Sequence, residues 1–511
     1  MTSMFVGGSE RLLPPLSPIT LPGPLAQRLA DRASLGRLVD SHVSSRTEQK
    51  TVWDALVVDI RTAGVLRITV FGVSVSNGAR ACDFRMGSQS PAALGPRANS
   101  TCGQHEQLFS MAWARQFQDI VTRVLQPLRV RLTLVAKNAV GPSYFASCTT
   151  SKLRNDTHIV LLEMASNLYE SPGEMLERIH VAAPRAAVAF INWGCSPRAR
   201  IDDRIQSAAS AAHVDVLNGA ALLHELVDPI PCHHFYGLRG HDHIHPNAAG
   251  HALLAAAAAQ FVINRMEAPR QPAHLVNARP LLRSKAPFEH CYEDAAHLPV
   301  VPMSMSNTSG WRLVDDGRDK GVAKLGWKST TVGQVLTLGP LEGPPDAKCA
   351  LLEVTLGYLL TMSSTQGALL LRCQGCRCQQ EQSITSAHNP FPRVQTDASL
   401  ASNQLQRRNF TVTATTQFMA LWLRDSACMI HVTHVRSARP HASKSHVRVD
   451  SLMSRHKHLD SFATKVLHFP SKYRTGVDFA VNALKVCPSD CRRRAWPCCG
   501  RRAVVSNATE C

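Results

Sequence analysis

Apolar residues between positions 51 and 270 follow two alternating periods. Short, nearly continuous apolar runs are typical of strands buried on both faces, and the segments between them repeat apolar residues every three or four positions, as amphipathic helices do. This alternation predicts a parallel sheet covered by helices. The predicted strands span 66–74, 129–139, 158–165, 186–193 and 214–220, and the last predicted helix spans 246–266.

The pattern becomes strand-like throughout after position 300. Runs such as VGQVLTL, CALLEVTLGYLL and CMIHVTHV are rich in β-branched and other apolar residues, and turn-forming Gly, Pro, Asn and Ser separate them. An all-β unit over 301–450 is predicted, in the form of a β-sandwich. Its aromatic residues either fill the core or stack on sugar rings of a bound carbohydrate, and these are Trp311, Trp327, Tyr358 and Trp422.

Three segments lack a sustained period. Residues 1–50 are predicted to be a disordered leader, 271–300 a linker and 451–511 a poorly ordered basic tail that contains cysteines. The net charge of +18 is concentrated towards this tail, with 15 Lys and Arg against 5 Asp and Glu from Arg436 onward. Because no DNA- or RNA-binding motif accompanies the basic clusters, no nucleic-acid partner is expected.

Sixteen cysteines and five Asn-x-Ser/Thr sites favour the secretory pathway or the extracellular space. The first residues nevertheless lack the unbroken apolar run of a signal peptide. No transmembrane segment is expected, because the longest apolar stretch, 252–263, is interrupted by Gln260 and is shorter than the roughly 20 residues that span a bilayer.

Candidate chemistry lies at the ends of the α/β pattern. Ser74 follows the first predicted strand in FGVSVSNG, where its hydroxyl would be presented at the carboxyl end of the sheet. Asp242 and His245 stand three residues apart in DHIHPNAAGH, before the last predicted helix, and Pro246 fits a helix start. A carboxylate there can hold one imidazole nitrogen while the other takes a proton from a serine. Alternatively, Ser74 and Asp242 are capping residues and His245 is a surface residue.

Four blocks in fixed order resemble the signature of the SGNH (GDSL-like) hydrolases. FGVSVSNG, KNAVGPS, LLEMASN and DHIHPNAAGH are similar in order and separation to that family, in particular to its algal and protist members with a C-terminal β-domain. The resemblance covers roughly residues 51–270. It implies a three-layer α/β/α, flavodoxin-like domain followed by an all-β sandwich, and a serine esterase that uses no metal or cofactor.

Carried over by position, the resemblance assigns roles to five residues. Ser74 would be the nucleophile, with Asp242 and His245 as its acid and base partners. Ser74 and Gly141 would offer backbone N–H groups to the oxyanion, and Asn167 its side-chain N–H. The implied substrate is a small ester or an acylated glycan, attacked through an acyl-serine intermediate.

Two positions depart from the family pattern and keep other functions open. Val73 stands where the family name has Asp, and Leu168 replaces the Asp that usually follows the block Asn. The alternatives are a carbohydrate-binding protein with a catalytically impaired SGNH domain, and an O-acyltransferase that uses the same triad with a sugar hydroxyl in place of water.

A metal site is a further alternative for two cysteine-containing segments. The segment 232–245 holds five histidines and Cys232, but its spacing fits no common zinc pattern. Cysteines among the later strands, at 349, 373, 376, 378 and 428, are expected to form disulfides or to fill the core rather than to bind zinc.

Overall fold

The structure, a computed structural model, divides into two compact units, Met1–Ser284 and Lys285–Cys511. It describes residues 23–44, 47–73, 75–76, 81, 111–137, 140–164, 172–195, 203–236, 245–267, 289–292, 296, 298–300, 310–315, 325–345, 347, 349–361, 367–378, 382–384, 411–424, 426–435 and 447–456.

Helices and strands alternate along the first unit. Its described helices are α1 (Gly23–Ala30), α2 (Arg32–Ser41), α3 (Thr47–Ala63), α4 (Trp113–Val124), α5 (Pro142–Lys152), α6 (Gly173–Ala182), α7 (Asp203–Ala212), α8 (Gly219–Val227) and α9 (Ala248–Glu267). Its described strands are β1 (Val43–Ser44), β2 (Val65–Gly72), β3 (Arg129–Ala136), β4 (Ile159–Glu163), β5 (Ala187–Ile191) and β6 (Asp215–Leu217).

These strands form one sheet of order β1-β6-β5-β4-β2-β3. All neighbours are parallel except β1 and β6, which are antiparallel. Every residue of β4 and β5 is buried, so both faces of the sheet centre are covered. The continuous apolar runs therefore marked central parallel strands, and the predicted α/β unit is confirmed.

The closing helix α9 is apolar around its whole circumference, and each residue from 248 to 263 is buried. Its many alanines let neighbouring helices approach closely, and it packs against α2 and α4. Such a helix belongs inside a globular core. Within the described part of the chain, no helix combines the length and apolar character that spanning a membrane requires.

The structure differs from the predicted leader at 23–44. Leu25, Leu29, Leu35 and Val39 are buried in the same core as α9, and they place α1 and α2 against the first unit. The strand that follows, β1, adds an antiparallel edge to β6. The Pro and Arg residues of the segment obscured its apolar spacing, so the sequence pattern alone did not predict helices that pack against the core.

The second unit is built from antiparallel strands, as predicted. Its described strands are β7 (Glu289–Tyr292), β8 (Trp311–Asp315), β9 (Leu325–Ser329), β10 (Val335–Leu341), β11 (Cys349–Thr361), β12 (Ala368–Gln374), β13 (Arg377–Cys378), β14 (Gln382–Ile384), β15 (Thr411–Leu423), β16 (Cys428–Val435) and β17 (Val447–His456). They form two sheets of the orders β10-β16-β12-β14 and β13-β15-β11-β17-β9-β8, with β7 beside β17. Buried side chains from both sheets form one hydrophobic cluster.

Two of these strands extend past the boundaries expected from the sequence. Strand β7 lies inside the segment predicted as a linker, and β17 continues beyond position 450 into the predicted tail. The two strands pair with each other, with Met453 opposite Cys291. A short strand in a polar segment is stabilised by such distant pairing, which local periodicity does not reveal.

Candidate active site

The strand order creates a switch point between β2 and β4. From β2 the chain passes outward to β3 and then crosses back to β4 on the other side, so the connections diverge at the carboxyl ends of β2 and β4. Open α/β sheets bind ligands in the crevice at such a point. Gly72 and Glu163, the last residues of these strands, are register partners. Ser74 follows Gly72 by two positions.

The structure describes two of the five residues to which the sequence assigns roles. Gly141 and His245 are described, whereas Ser74, Asn167 and Asp242 lie outside the described residues. The neighbours of position 74 are described on both sides: Val73 follows β2, and Val75 and Ser76 form a turn.

That turn is bound to the buried carboxylate of Glu163, whose residue is 1% exposed. Its Oε2 accepts hydrogen bonds from Ser76 Oγ at 2.9 Å, from Ser76 N at 3.1 Å and from Val73 N at 3.4 Å. The N–H of Val73 also lies 3.2 Å from the backbone oxygen of Glu163. The residues before and after position 74 are thus held against the end of β4.

Burial raises the pKa of the Glu163 carboxyl from 4.5 to about 7, against the opposing effect of its hydrogen bonds from Ser76 and Val73. Desolvation disfavours the charged form, and no cation among the described residues pairs with this carboxylate to offset it. Strongly shifted groups are common at functional sites. Ionisation of Glu163 at this end of the sheet therefore lowers the stability of the folded protein.

The raised pKa predicts a pH-dependent difference in stability between the wild type and Glu163→Gln. Between pH 4.5 and about 7 the folded protein retains a proton that the unfolded chain releases, so this stabilisation is lost as pH rises. At about 1.4 kcal/mol per pH unit, the free energy of unfolding of the wild type should fall by roughly 3 kcal/mol relative to the variant. Urea unfolding of both proteins at pH 4.5 to 8 measures the difference, and a difference that is constant with pH would contradict the prediction.

The same turn is connected to the closing helix. Trp113 at the start of α4 donates from Nε1 to Ser76 Oγ at 3.1 Å, and its backbone N donates to His251 Nδ1 at 3.3 Å. His251 lies in the first turn of α9, where its N–H bonds to the oxygen of Asn247 at 2.9 Å. Ser76, Trp113 and His251 are all buried, so these bonds are shielded from water.

His245 lies two residues before Asn247, in a segment that is fixed by backbone contacts. Asn247 N donates to Phe235 O at 3.0 Å, and Asn247 Nδ2 donates to His234 O at 2.7 Å. Asn247 Oδ1 accepts from Gly250 N at 3.0 Å and so caps α9. The helix begins at Ala248, two positions later than predicted from Pro246, because Asn247 supplies the cap. His245 is half-buried.

Gly141 immediately precedes α5, with Pro142 in the first helical turn. It follows β3, the other neighbour of β2 in the sheet. Its residue is buried and its backbone is extended, with φ −110° and ψ −177°. A backbone N–H at the start of a helix benefits from the positive end of the helix dipole, which favours an anion.

Five of the six cysteines that raised a metal alternative are paired in disulfides, and the side chain of the sixth, Cys349, lies outside the described part of the structure. Cys232 is bonded to Cys195, and its Sγ lies 3.5 Å from His224 Nε2. Sulfurs that are bonded to each other offer no thiolate to a metal. Between described residues of the second unit, disulfides join Cys373 to Cys378 and Cys376 to Cys428.

Sequence reasoning missed four of the residues that organise this site. Glu163, Ser76, Trp113 and His251 are buried polar or aromatic residues that contact one another across the fold. One signal was visible, because Glu163 is an acidic residue in the apolar run HIVLLEMA. Acidic residues are almost never fully buried unless they are paired, so its position indicated a partner.

No protein-family model and no curated protein matches the sequence. Among solved structures, a two-domain esterase active on acetylated mannans, co-crystallised with mannopentaose, is 14% identical with a TM-score of 0.44, over 79% of this chain and 94% of its own. Another structure of such an esterase is 12% identical with a TM-score of 0.45, and the match covers 79% of this chain and 95% of the esterase chain. A variant of Axe2, an acetyl xylan esterase from Geobacillus stearothermophilus, is 11% identical with a TM-score of 0.29, and the match covers 41% of this chain and 100% of the Axe2 chain. At these scores the likeness carries no functional argument, and the chain is similar to these esterases without being assigned to a family.

Proposed function

We propose that the first unit is a serine esterase in which Ser74 is the nucleophile and Asp242 and His245 are its acid and base partners. The observation that carries the proposal is the turn after β2, anchored on both sides of position 74 at the switch point of the sheet. A nucleophilic serine needs this kind of fixed, strand-end position, because small displacements of the attacking oxygen lower the rate.

The remaining roles follow from where the chain passes this edge. Gly141 begins a helix beside β2, which suits a donor to an oxyanion, and we assign Asn167, after β4, and the Ser74 N–H as the other donors. His245 precedes α9, whose first turn is bonded to Trp113 and through it to the turn that carries Ser74. This network gives a physical reason for the nucleophile and the base to keep a constant separation.

The proposed reaction has two steps. In the first, His245 takes the Ser74 proton as the oxygen attacks the ester carbonyl, and the tetrahedral intermediate collapses when His245 returns that proton to the departing alcohol. In the second, His245 takes a proton from water as the water oxygen attacks the acyl-serine. The acid then leaves and the proton returns to Ser74. Asp242 orients the imidazole and stabilises its charged form.

O-acylated glycans are the proposed substrate class, with acetyl esters as the first to test. The second unit gives little support to the alternative of a carbohydrate-binding protein, because Trp311, Tyr358 and Trp422 belong to its core. Trp327 is partly buried against the same core. Buried rings cannot stack on a sugar, so these aromatics contribute to packing, and we propose that the two antiparallel sheets form a sandwich around them.

Labelling with a fluorophosphonate tests the proposal directly. The full-length protein should be modified once, on the peptide that contains Ser74, and should hydrolyse p-nitrophenyl acetate and release acetate from acetylated mannan or xylan. Ser41→Ala, on the exposed end of α2, is the matched control and should be labelled like the wild type. Labelling at a residue other than Ser74 would contradict the proposal, and so would the absence of both labelling and hydrolysis. Acetyl transfer to added methanol that exceeds acetate release would identify a transferase with the same site.

A further inference from the structure

We infer that Glu163 is a positioning residue for the nucleophile, because its carboxylate clamps the turn around Ser74 and, through Ser76 and Trp113, couples that turn to the segment that carries His245. The inference rests on the proposed function and goes beyond it, because neither the sequence motifs nor the proposed triad assigns Glu163 a role.

The clamp has a simple geometry. Donors at the position before Ser74 and at the second position after it converge on a single oxygen, Glu163 Oε2, at 3.4 Å, 3.1 Å and 2.9 Å. Val73 and Ser76, which flank position 74, therefore share one anchor. A shift of the nucleophile along the crevice would have to stretch at least one of these bonds.

The hydrogen bonds from Glu163 to His251 have defined donors and acceptors. Ser76 Oγ donates its only proton to Glu163, so it is an acceptor towards Trp113 Nε1. Trp113 then donates its backbone N–H to His251 Nδ1, which is held as an acceptor. In this series of hydrogen bonds every donor has a defined acceptor, and the first acceptor is the Glu163 carboxylate. Loss of the charge would weaken the first bond and loosen those that follow.

A purely structural role for this carboxylate is the competing explanation. A buried carboxylate without a cation costs stability, and an apolar residue of similar shape would fill the end of a buried strand at lower cost. The described groups that face Glu163 are Val73 and Ser76 from the turn, with Trp113 behind Ser76 and His251 behind Trp113. All of them belong to the connection between the nucleophile turn and the closing helix.

The experiment compares Glu163→Gln, Glu163→Leu and the wild type in the full-length protein. Glutamine keeps one acceptor oxygen without the charge, and leucine keeps the shape without an acceptor. For hydrolysis of p-nitrophenyl acetate we expect kcat to fall about 10- to 100-fold in Glu163→Gln and further in Glu163→Leu, while KM changes by less than about threefold. The rate of fluorophosphonate labelling of Ser74 should fall in the same order. Ser76→Ala removes the shortest bond of the clamp and should give a loss comparable to that of Glu163→Gln, even if Glu163→Leu does not fold.

The pH profile separates positioning from general destabilisation. In the wild type, protonation of Glu163 should lower kcat/KM on the acid side, whereas Glu163→Gln should lack this ionisation and show a shallower acid limb. Asp215→Asn is the matched control, because Asp215 is a buried carboxylate at the start of β6 that accepts from Trp53 Nε1 at 2.8 Å. Its thermal midpoint should fall, while its kcat and acid limb should match those of the wild type.

The outcomes distinguish a failure of the role inferred for Glu163 from a failure of the esterase assignment. If Ser74→Ala abolishes hydrolysis but Glu163→Gln and Ser76→Ala match the wild type in kcat and acid limb, Glu163 is not a positioning residue and the esterase assignment stands. The inference also fails if Asp215→Asn loses as much kcat as Glu163→Gln at an equal loss of thermal midpoint. If Ser74→Ala retains full activity, the esterase site itself is wrong.

Discussion

Replacement of Ser74 by alanine is expected to lower kcat by about 10⁴- to 10⁶-fold, with little change in KM. The variant lacks the oxygen that forms the acyl-enzyme, so only stabilisation of the oxyanion and substrate binding remain. Stopped assays of p-nitrophenyl acetate hydrolysis at high protein concentration can measure this range. The thermal midpoint should stay close to that of the wild type, because one hydroxyl is removed without a change in backbone.

The same mechanism makes a sharper prediction for a double variant. His245→Ala should lose a similar amount of kcat, and Ser74→Ala/His245→Ala should be no slower than either single variant, because nucleophile and base act as one unit. His213→Asn is a suitable control, since His213 is exposed and has φ 53°, a conformation that Asn tolerates. Multiplicative losses in the double variant would show that the two residues act independently and would argue against a serine–histidine pair.

Replacement of Gly72 by alanine is expected to disrupt both stability and activity. A Cβ at Gly72 would overlap Ser76 Oγ and Cβ and would lie 3.4 Å from Glu163 Oε2. Ser76 is buried and cannot move aside without breaking its bonds to Glu163, so overpacking should cost about 1–3 kcal/mol of unfolding free energy. Because the residues that flank Ser74 are expected to shift as well, kcat should fall about 100-fold or more.

A second substitution distinguishes the two effects. Gly72→Ala/Ser76→Gly removes the overlapping atoms, so stability should recover in part while kcat stays low, since the clamp on Glu163 is still missing its hydroxyl. Gly194→Ala is the control, because a Cβ there meets nothing within 4 Å. Urea unfolding and p-nitrophenyl acetate kinetics report the two quantities separately. Full recovery of kcat in the double variant would mean that the Ser76 hydroxyl has no part in placing the nucleophile.

The sequence alone was sufficient for features that depend on local period. Apolar runs such as IVLLE and AVAFI predicted the buried parallel strands, and the change of period after position 300 predicted the antiparallel unit. The position of Ser74 after the first predicted strand also led to the prediction of a site at the carboxyl edge of the sheet, because carboxyl ends of parallel strands share one edge. These conclusions follow from side-chain spacing, which each segment carries within itself.

Only the tertiary structure decided which distant residues meet at that edge. Ser76 and Glu163 are 87 positions apart, Ser76 and Trp113 are 37 apart, and Trp113 and His251 are 138 apart. Their contacts depend on the order of β2 and β4 in the sheet and on the packing of α9 against α4. Likewise, α1 and α2 become part of the first unit only when α9 provides a core for their leucines. Local pattern determines which elements form, whereas sheet order and helix packing determine which polar groups are buried together, and here they bring a carboxylate against Val73 and Ser76, which flank the proposed nucleophile in the sequence.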